Sequence, residues 1–314
     1  MRIHVLDLDG SLVQQKELLT LYRPAVFCCR NWGTRIRLAC SFRRFRQFEA
    51  EHISWFDREA DSQPVISLVG SGDFHHVSLA LVRRLQTPIN LLVLDNHPDW
   101  MRFVPFLHCG TWLYHAARLP QVVRVFHVGG NVDFDNYYQW MAPRSLLRSG
   151  KITVLPAIRR FKRGAWAEVP HRPLRIDPET PVTPKRAADL LEPFRAELAR
   201  HPLYLSLDKD VMKASEAVVN WDSGHLTLAE VRVILSTFVD LAGGRLIGLD
   251  LVGDWSPVCV RGWLRHLMHW TMHPPLKIDP MKAMQCSEQV NLSLLGGLQS
   301  ASRSCLPLLP IVRE

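Results

Sequence analysis

The chain lacks the marks of several common protein classes. Its seven cysteines are scattered, with no CxxC pair and no metal-finger spacing. That argues against both a zinc finger and a disulfide framework. No apolar run approaches the ~20 residues needed to span a bilayer, so no membrane partner is expected. There is no internal repeat, no low-complexity tract and no signal-peptide pattern; the chain opens on a strand-like run. A cytoplasmic protein with reduced thiols is the expectation these absences leave.

With 314 residues, 47% of them hydrophobic, the chain can bury a sizeable core. Its net charge of +8 permits an acidic partner without requiring one. Arginines cluster at Arg35–Arg46, interleaved with aromatics, and at Arg159–Arg163. A solvated helix face explains the first cluster better than a nucleic-acid patch does.

Short apolar runs over residues 3–8, 65–69, 91–94, 122–128, 152–155, 203–207 and 246–252 read as strands. Continuous apolar runs suggest a parallel sheet covered on both faces. Helical patterns fall at residues 77–85, 111–118, 184–200, 227–241 and 262–268. Strands alternating with helices predict a three-layer α/β sandwich with a mostly parallel sheet. The Pro-rich, charged stretch at 161–184 reads as an excursion within a single domain covering residues 1–314.

Polar clusters sit where these strands end, which is where open α/β sheets place their sites. Residues 91–99 read Leu-Leu-Val-Leu-Asp95-Asn-His97-Pro-Asp99. Alternate residues of an extended chain point the same way, so two carboxylates and an imidazole converge. The run at 203–207 leads into Asp208-Lys-Asp210, a second alternate pair, and the run at 65–69 leads into Gly-Ser-Gly-Asp-Phe-His75-His76. Such groups repel unless a divalent cation joins them. Carboxylate-rich ligation with one imidazole per ion suits Mn²⁺, with Zn²⁺ or Fe²⁺ as alternatives.

The order of these motifs resembles the arginase/agmatinase (ureohydrolase) superfamily, which shares its fold with the histone deacetylases. Gly-Ser-Gly-Asp-Phe-His-His resembles the family's Gly-Gly-Asp-His-Ser, and Asp-Asn-His-Pro-Asp its Asp-Ala-His-x-Asp. Leu-His108-Cys-Gly, His127-Val-Gly-Gly-Asn131 and Ser206-Leu-Asp-Lys-Asp210 follow in the family's order. Segments at 221–230 and 248–257 complete the series.

The resemblance implies a roughly eight-stranded sheet and two metal ions. It also implies hydrolysis of a C–N bond in a guanidino, amidino or acyl-amine compound by a metal-bridging hydroxide. Asp95, His97, Asp99, Asp208 and Asp210 carry over as ligands, with His75 or His76 as the sixth. Asp99 would also accept the water's proton, and His108 would shuttle it. Asn131 and Asp254 fall where substrate would bind. The guanidinium-binding Glu has no match, since Gly253 takes its place. Small-molecule substrates and a homo-oligomer fit the family.

Two other readings remain open. Val5-Leu-Asp7-Leu-Asp9-Gly-Ser resembles the first motif of haloacid-dehalogenase-type phosphatases, with Asp7 as nucleophile and Asp9 as acid. A non-catalytic metal-binding protein of arginase-like fold is the second. His266, His269 and His273 read as a polar helix surface, and Cys109 as a small buried thiol.

Overall fold

The computed structural model describes residues 2–53, 64–102, 106–130, 140–158, 169–275 and 277–304. Eight strands form one sheet: β1 (Arg2–Asp7), β2 (Ala25–Cys28), β4 (Val65–Gly70), β5 (Ile89–Leu94), β7 (Val122–Val128), β8 (Ile152–Leu155), β9 (Leu203–Asp208) and β10 (Leu246–Val252). Their order is β2-β1-β4-β10-β9-β5-β7-β8, and every pairing is parallel. The seven expected strands are all present. The eighth, β2, is an exposed four-residue edge whose short run gave no periodic signal. A two-stranded antiparallel ribbon, β3 (Ala39–Ser41) and β6 (Phe106–His108), lies beside the main sheet.

Alternation explains the layers. In β5, Leu92 and Leu94 pack into one core, with the helices Pro184–Leu191, Leu228–Leu241 and Pro280–Ser304. Leu91 and Val93 enter the opposite core, with Arg30–Ile36, Phe42–Phe48, Val77–Arg83 and Trp112–Ala116. A strand buried on both faces must be apolar at nearly every position, as β5 is apart from Asn90, whose Nδ2 donates to Glu197 O at 3.2 Å. The arginine–aromatic cluster resolves the same way: Phe45 and Phe48 are buried while Arg43 and Arg46 face solvent.

Two helices differ from expectation for local reasons. The pattern over 184–200 breaks into Pro184–Leu191, a 3₁₀ turn Glu192–Phe194 and Arg195–Leu198. Pro193 lacks an N–H and crowds the preceding turn. The long helix Pro280–Ser304 was not anticipated, because Gly296-Gly297 lowers helix propensity. Its start carries a local signal: Asp279 Oδ1 accepts from Met281 N at 2.9 Å, with Pro280 in the first turn.

Of the 161–184 excursion, residues 161–168 lie outside the described residues, as does Arg159–Arg163. The remainder returns along β8, where His171 bridges to Val154. Glu230 then fastens it to the helix Leu228–Leu241. Its Oε2 accepts from Arg175 Nη2 at 2.6 Å and Thr227 N at 2.8 Å, and its Oε1 from Val182 N at 2.9 Å. Replacing Glu230 by Ala removes a helix cap and leaves buried Arg175 unpaired. We expect a loss of about 2–4 kcal/mol in unfolding free energy, measured by urea denaturation. A loss no larger than that of an exposed-site substitution would refute this role.

Candidate metal centre

Four neighbouring strands, β4, β10, β9 and β5, end at the same edge of the sheet. Past Leu94 the chain leaves β5 with Asp95, His97 and Asp99. Asp99 turns the chain at φ 48°, a left-handed conformation that Asp tolerates better than most residues. Its Oδ2 accepts from Trp112 Nε1 at 2.7 Å. Asp208 closes β9, and its Oδ1 accepts from Asp210 N at 3.0 Å, which aims the second carboxylate inward. Beyond β4, a 3₁₀ turn capped by Ser71 delivers His75.

These residues meet. His75 Nδ1 lies 3.1 Å from Asp95 Oδ2, 2.9 Å from Asp99 Oδ2 and 3.6 Å from Asp208 Oδ2. His97 Nδ1 lies 2.8 Å from Asp210 Oδ2 and 3.8 Å from Asp95 Oδ1. Two groups with metal-compatible spacing result, His75–Asp95–Asp99 and Asp95–His97–Asp210, and they share Asp95. All four aspartates are buried, while His97 stays 31% exposed and marks the open side.

Glycines make room for the cluster. A Cβ on Gly72 would fall 2.6 Å from Asp208 Oδ2, and one on Gly253 would fall 2.5 Å from Asp208 Oδ1. Gly253 also has φ +97°, which side chains rarely adopt. The position where the resembled family carries a Glu is therefore sterically closed here to any side chain.

The charges are in conflict. Burial, then mutual repulsion, raises the carboxyl pKa of Asp95, Asp208 and Asp210. Burial by itself would depress His75, but its bonds to Asp95 and Asp99 hold it well above its usual value. His97 is likewise desolvated, yet Asp210 lifts it to about 10. Buried Asp95 Oδ2 receives no hydrogen bond of good geometry. Among the described residues, the cationic partners of these carboxylates are imidazoles. The neighbouring Lys209 is turned away to Asp254.

The second histidine of the pair is elsewhere. Adjacent residues entering a helix point about 100° apart. His76 is buried against Phe45, ring centroids 5.9 Å apart, and burial pushes its pKa down to about 3. His108 Nδ1 accepts from Gly110 N at 2.8 Å, so its proton sits on Nε2. Burial lowers it to about 4, leaving a neutral imidazole. Cys109 beside it is a buried thiol raised well above its ordinary value, as expected. Asp254 pairs with Lys209 and accepts from Asn291 Nδ2 at 3.3 Å, inside the protein rather than at the cluster. Asn131 lies outside the described residues.

Asp7 and Asp9 are engaged structurally. Asp7 accepts from Gly10 N at 3.0 Å and pairs with Arg30 at 2.7 Å. Asp9 accepts from Ser11 Oγ and Ser256 Oγ, both at 2.7 Å, and from Ser71 N at 3.1 Å. This tethers the end of β1 to the loops after β4 and β10.

Sequence reading missed the supports. His75 Nε2 bonds Ser206 Oγ at 3.0 Å, and Ser206 and Ser78 each donate to Asp250 Oδ1 at 2.7 Å. The bonds that build the site wall around Asp73 were also missed. Asp73 Oδ1 accepts from Trp221 Nε1 at 2.9 Å and His273 Nε2 at 2.8 Å, and its Oδ2 from Arg37 Nε at 2.6 Å. His273 was expected on a polar surface. Its side chain is only 5% exposed, because Asp73, 200 residues away in sequence, draws it inward. Trp221 stands edge-on to both His97 and His273, with centroids 5.3 and 4.7 Å apart.

No family model matches the chain. An uncharacterized protein of Thermotoga maritima is 25% identical over 296 residues, 94% of this chain and 89% of its own length. Solved structures show the same architecture. Arginase from Bacillus cereus superposes with a TM-score of 0.56 at 16% identity, covering 94% of this chain and 96% of its own. Proclavaminate amidino hydrolase from Streptomyces clavuligerus gives 0.54 at 16%, covering 96% and 92%. Agmatine ureohydrolase of Thermoplasma volcanium gives 0.52 at 11%, covering 97% and 91%. The chain thus has the arginase-like α/β fold, at low sequence identity to those neighbours. No helix among the described residues is long and apolar enough to cross a membrane.

The wall yields a test. Arg37 is 2% exposed and neutralises Asp73, whose carboxyl is held well below its usual range despite burial. Arg37→Met should cost about 3–5 kcal/mol in unfolding free energy, because a buried carboxylate loses its cation. Arg37→Met/Asp73→Asn should recover part of that loss. A double variant no more stable than the single one would show that the pair is not coupled.

Proposed function

We propose that this protein is a two-metal hydrolase that cleaves a C–N bond in a guanidino, amidino or acyl-amine compound. One observation carries the reading: Asp95 belongs at once to two clusters of metal-compatible spacing, one around each histidine. His75, Asp95, Asp99 and Asp208 would hold one cation, and His97, Asp95, Asp208 and Asp210 the other. Four buried carboxylates beside two imidazoles carry the charge that two dications neutralise. Asp95 Oδ2, 3.1 Å from His75 Nδ1 but without a hydrogen bond of good geometry, fits the same assignment. So does His75, whose Nε2 is held by Ser206 Oγ at 3.0 Å so that Nδ1 faces the carboxylates, where it would ligate once deprotonated. The donor set is oxygen-rich and suits Mn²⁺, with Zn²⁺ or Fe²⁺ as the alternatives.

When bound, such a pair of cations acts as a Lewis acid and lowers the pKa of a coordinated water toward ~7. The chain's own groups do the rest. Asp99, oriented by Trp112, would serve as the proton acceptor. His108, neutral, presents Nε2–H as a hydrogen-bond donor, and its low pKa favours orienting a substrate over storing a proton. His97, 31% exposed with buried Trp221 edge-on to it, marks the side from which substrate would arrive. The named neighbours, an arginase, an amidino hydrolase and an agmatine ureohydrolase, support C–N hydrolysis as the reaction class. Because Gly253 leaves no side chain at the guanidinium-binding position and Asp254 is paired internally, acyl-amines belong in the substrate panel beside guanidines.

Metal analysis of the purified, Mn²⁺-reconstituted protein should find about two equivalents per chain. Asp95→Asn, which touches both clusters, should remove both ions, while His76→Ala should retain them. Urea or amine release from a panel of guanidines, amidines and acyl-amines should vanish in Asp99→Asn. A wild type that binds no metal after reconstitution would overturn the assignment. Full metal with no activity across the panel would favour the non-catalytic reading.

A further inference from the structure

The helix Trp263–Met272 has two unlike faces. Its inner face closes the site wall. Met268 and Met272 pack on the cluster Leu38, Cys109, Trp221 and Val260. His269 Nδ1 lies 2.5 Å from His273 Nδ1, and Arg265 donates to the backbone carbonyl of Ala39 at 3.3 Å. Its outer face carries Trp263, Leu267 and Trp270, exposed by 77%, 46% and 80%. At about 100° per residue these three fall in one stripe roughly 60° wide. His266 and Thr271, both exposed, flank it. No Asp, Glu, Lys or Arg lies on it.

We infer that this stripe is a two-fold interface with a second copy of the chain. Three features select that occupant. The pattern is palindromic: in an antiparallel pair Trp263 meets Trp270 of the other copy, and Leu267 meets the centre. A two-fold contact requires this self-complementarity, since residue i touches j and j touches i. The stripe is uncharged, whereas an anionic lipid surface or a nucleic acid would be met by cations on the same face. Arg265 is instead turned to the body of the protein. The area approaches that of a small, reversible dimer. At about 150–250 Å² per buried tryptophan, the four tryptophans of a pair supply roughly 600–1,000 Å². Flanking residues would bring that toward the ~1,200 Å² lower bound of stable interfaces. Pairing would hold the helix whose inner face carries His273, but the inference is independent of the metal assignment.

Sedimentation velocity on the full chain tests it. Between roughly 1 and 100 μM the wild type should pass from monomer to dimer. Trp263→Ser/Trp270→Ser, checked for an unchanged circular dichroism spectrum, should weaken dimerisation at least about thirtyfold, as expected when buried aromatic anchors are removed. If that variant misfolds, Leu267→Cys decides. A short bis-maleimide should link its dimer far more efficiently than the wild type, whose exposed Cys28 and Cys259 provide the background. A wild type monomeric throughout, or a dimer that survives the double substitution, overturns the inference. So does a monomer whose flotation with phosphatidylserine vesicles is lost in the double variant, because the stripe would then serve a lipid surface.

Discussion

Four aspartates buried at adjoining strand ends repel one another, and most of the functional region is organised around containing that repulsion. Asp95, Asp208 and Asp210 are all driven toward protonation by burial and by each other. Two imidazoles offset part of the charge. An anionic cluster this deep in a folded protein is costly unless cations complete it, so the arrangement makes physical sense as a receptacle. The local devices point the same way. Gly72 and Gly253 bring backbone against both oxygens of Asp208, and Ser206, Asp250 and Ser78 fix the ring of His75 from behind.

Around that centre the protein disposes of its other buried charges in pairs. Arg37 answers Asp73, Lys209 answers Asp254, and Arg175 answers Glu230. Each pair joins segments distant in sequence. Lys209 is the instructive case. It sits between two site aspartates, and a lysine turned toward them would neutralise the cluster. Its bond to Asp254 takes it to the other side, leaving the aspartates to the histidines. The carboxylate that the sequence suggested as a substrate contact therefore has a different immediate partner.

Much of the fold was legible along the chain. A strand buried on both faces must be apolar along most of its length, so β5 and β9 announced themselves despite Asn90 and Ser206. The edge strand β2 did not, because four exposed residues carry no pattern. The Asp95-x-His97-x-Asp99 and Asp208-x-Asp210 spacings were legible for the same physical reason, since alternation places alternate side chains on one side. His75 and His76 could not be told apart in sequence. Helix geometry separates them by about 100°, and only the tertiary position of the turn decides which faces the carboxylates.

What the chain by itself determined is chemistry and local period: which residues are apolar, which can ligate, and which neighbours share a side. The tertiary structure decided everything that depends on strand order. With β9 between β10 and β5, Asp208 and Asp210 stand beside Asp95, and His75 arrives from β4 on the far side of β10. The same packing set Asp73 against His273, turning a histidine expected at the surface into part of the wall. Side-chain period is local, within a few residues, whereas these meetings join residues from 20 (His75 to Asp95) to 200 (Asp73 to His273) apart and are fixed only when the two cores close on the sheet.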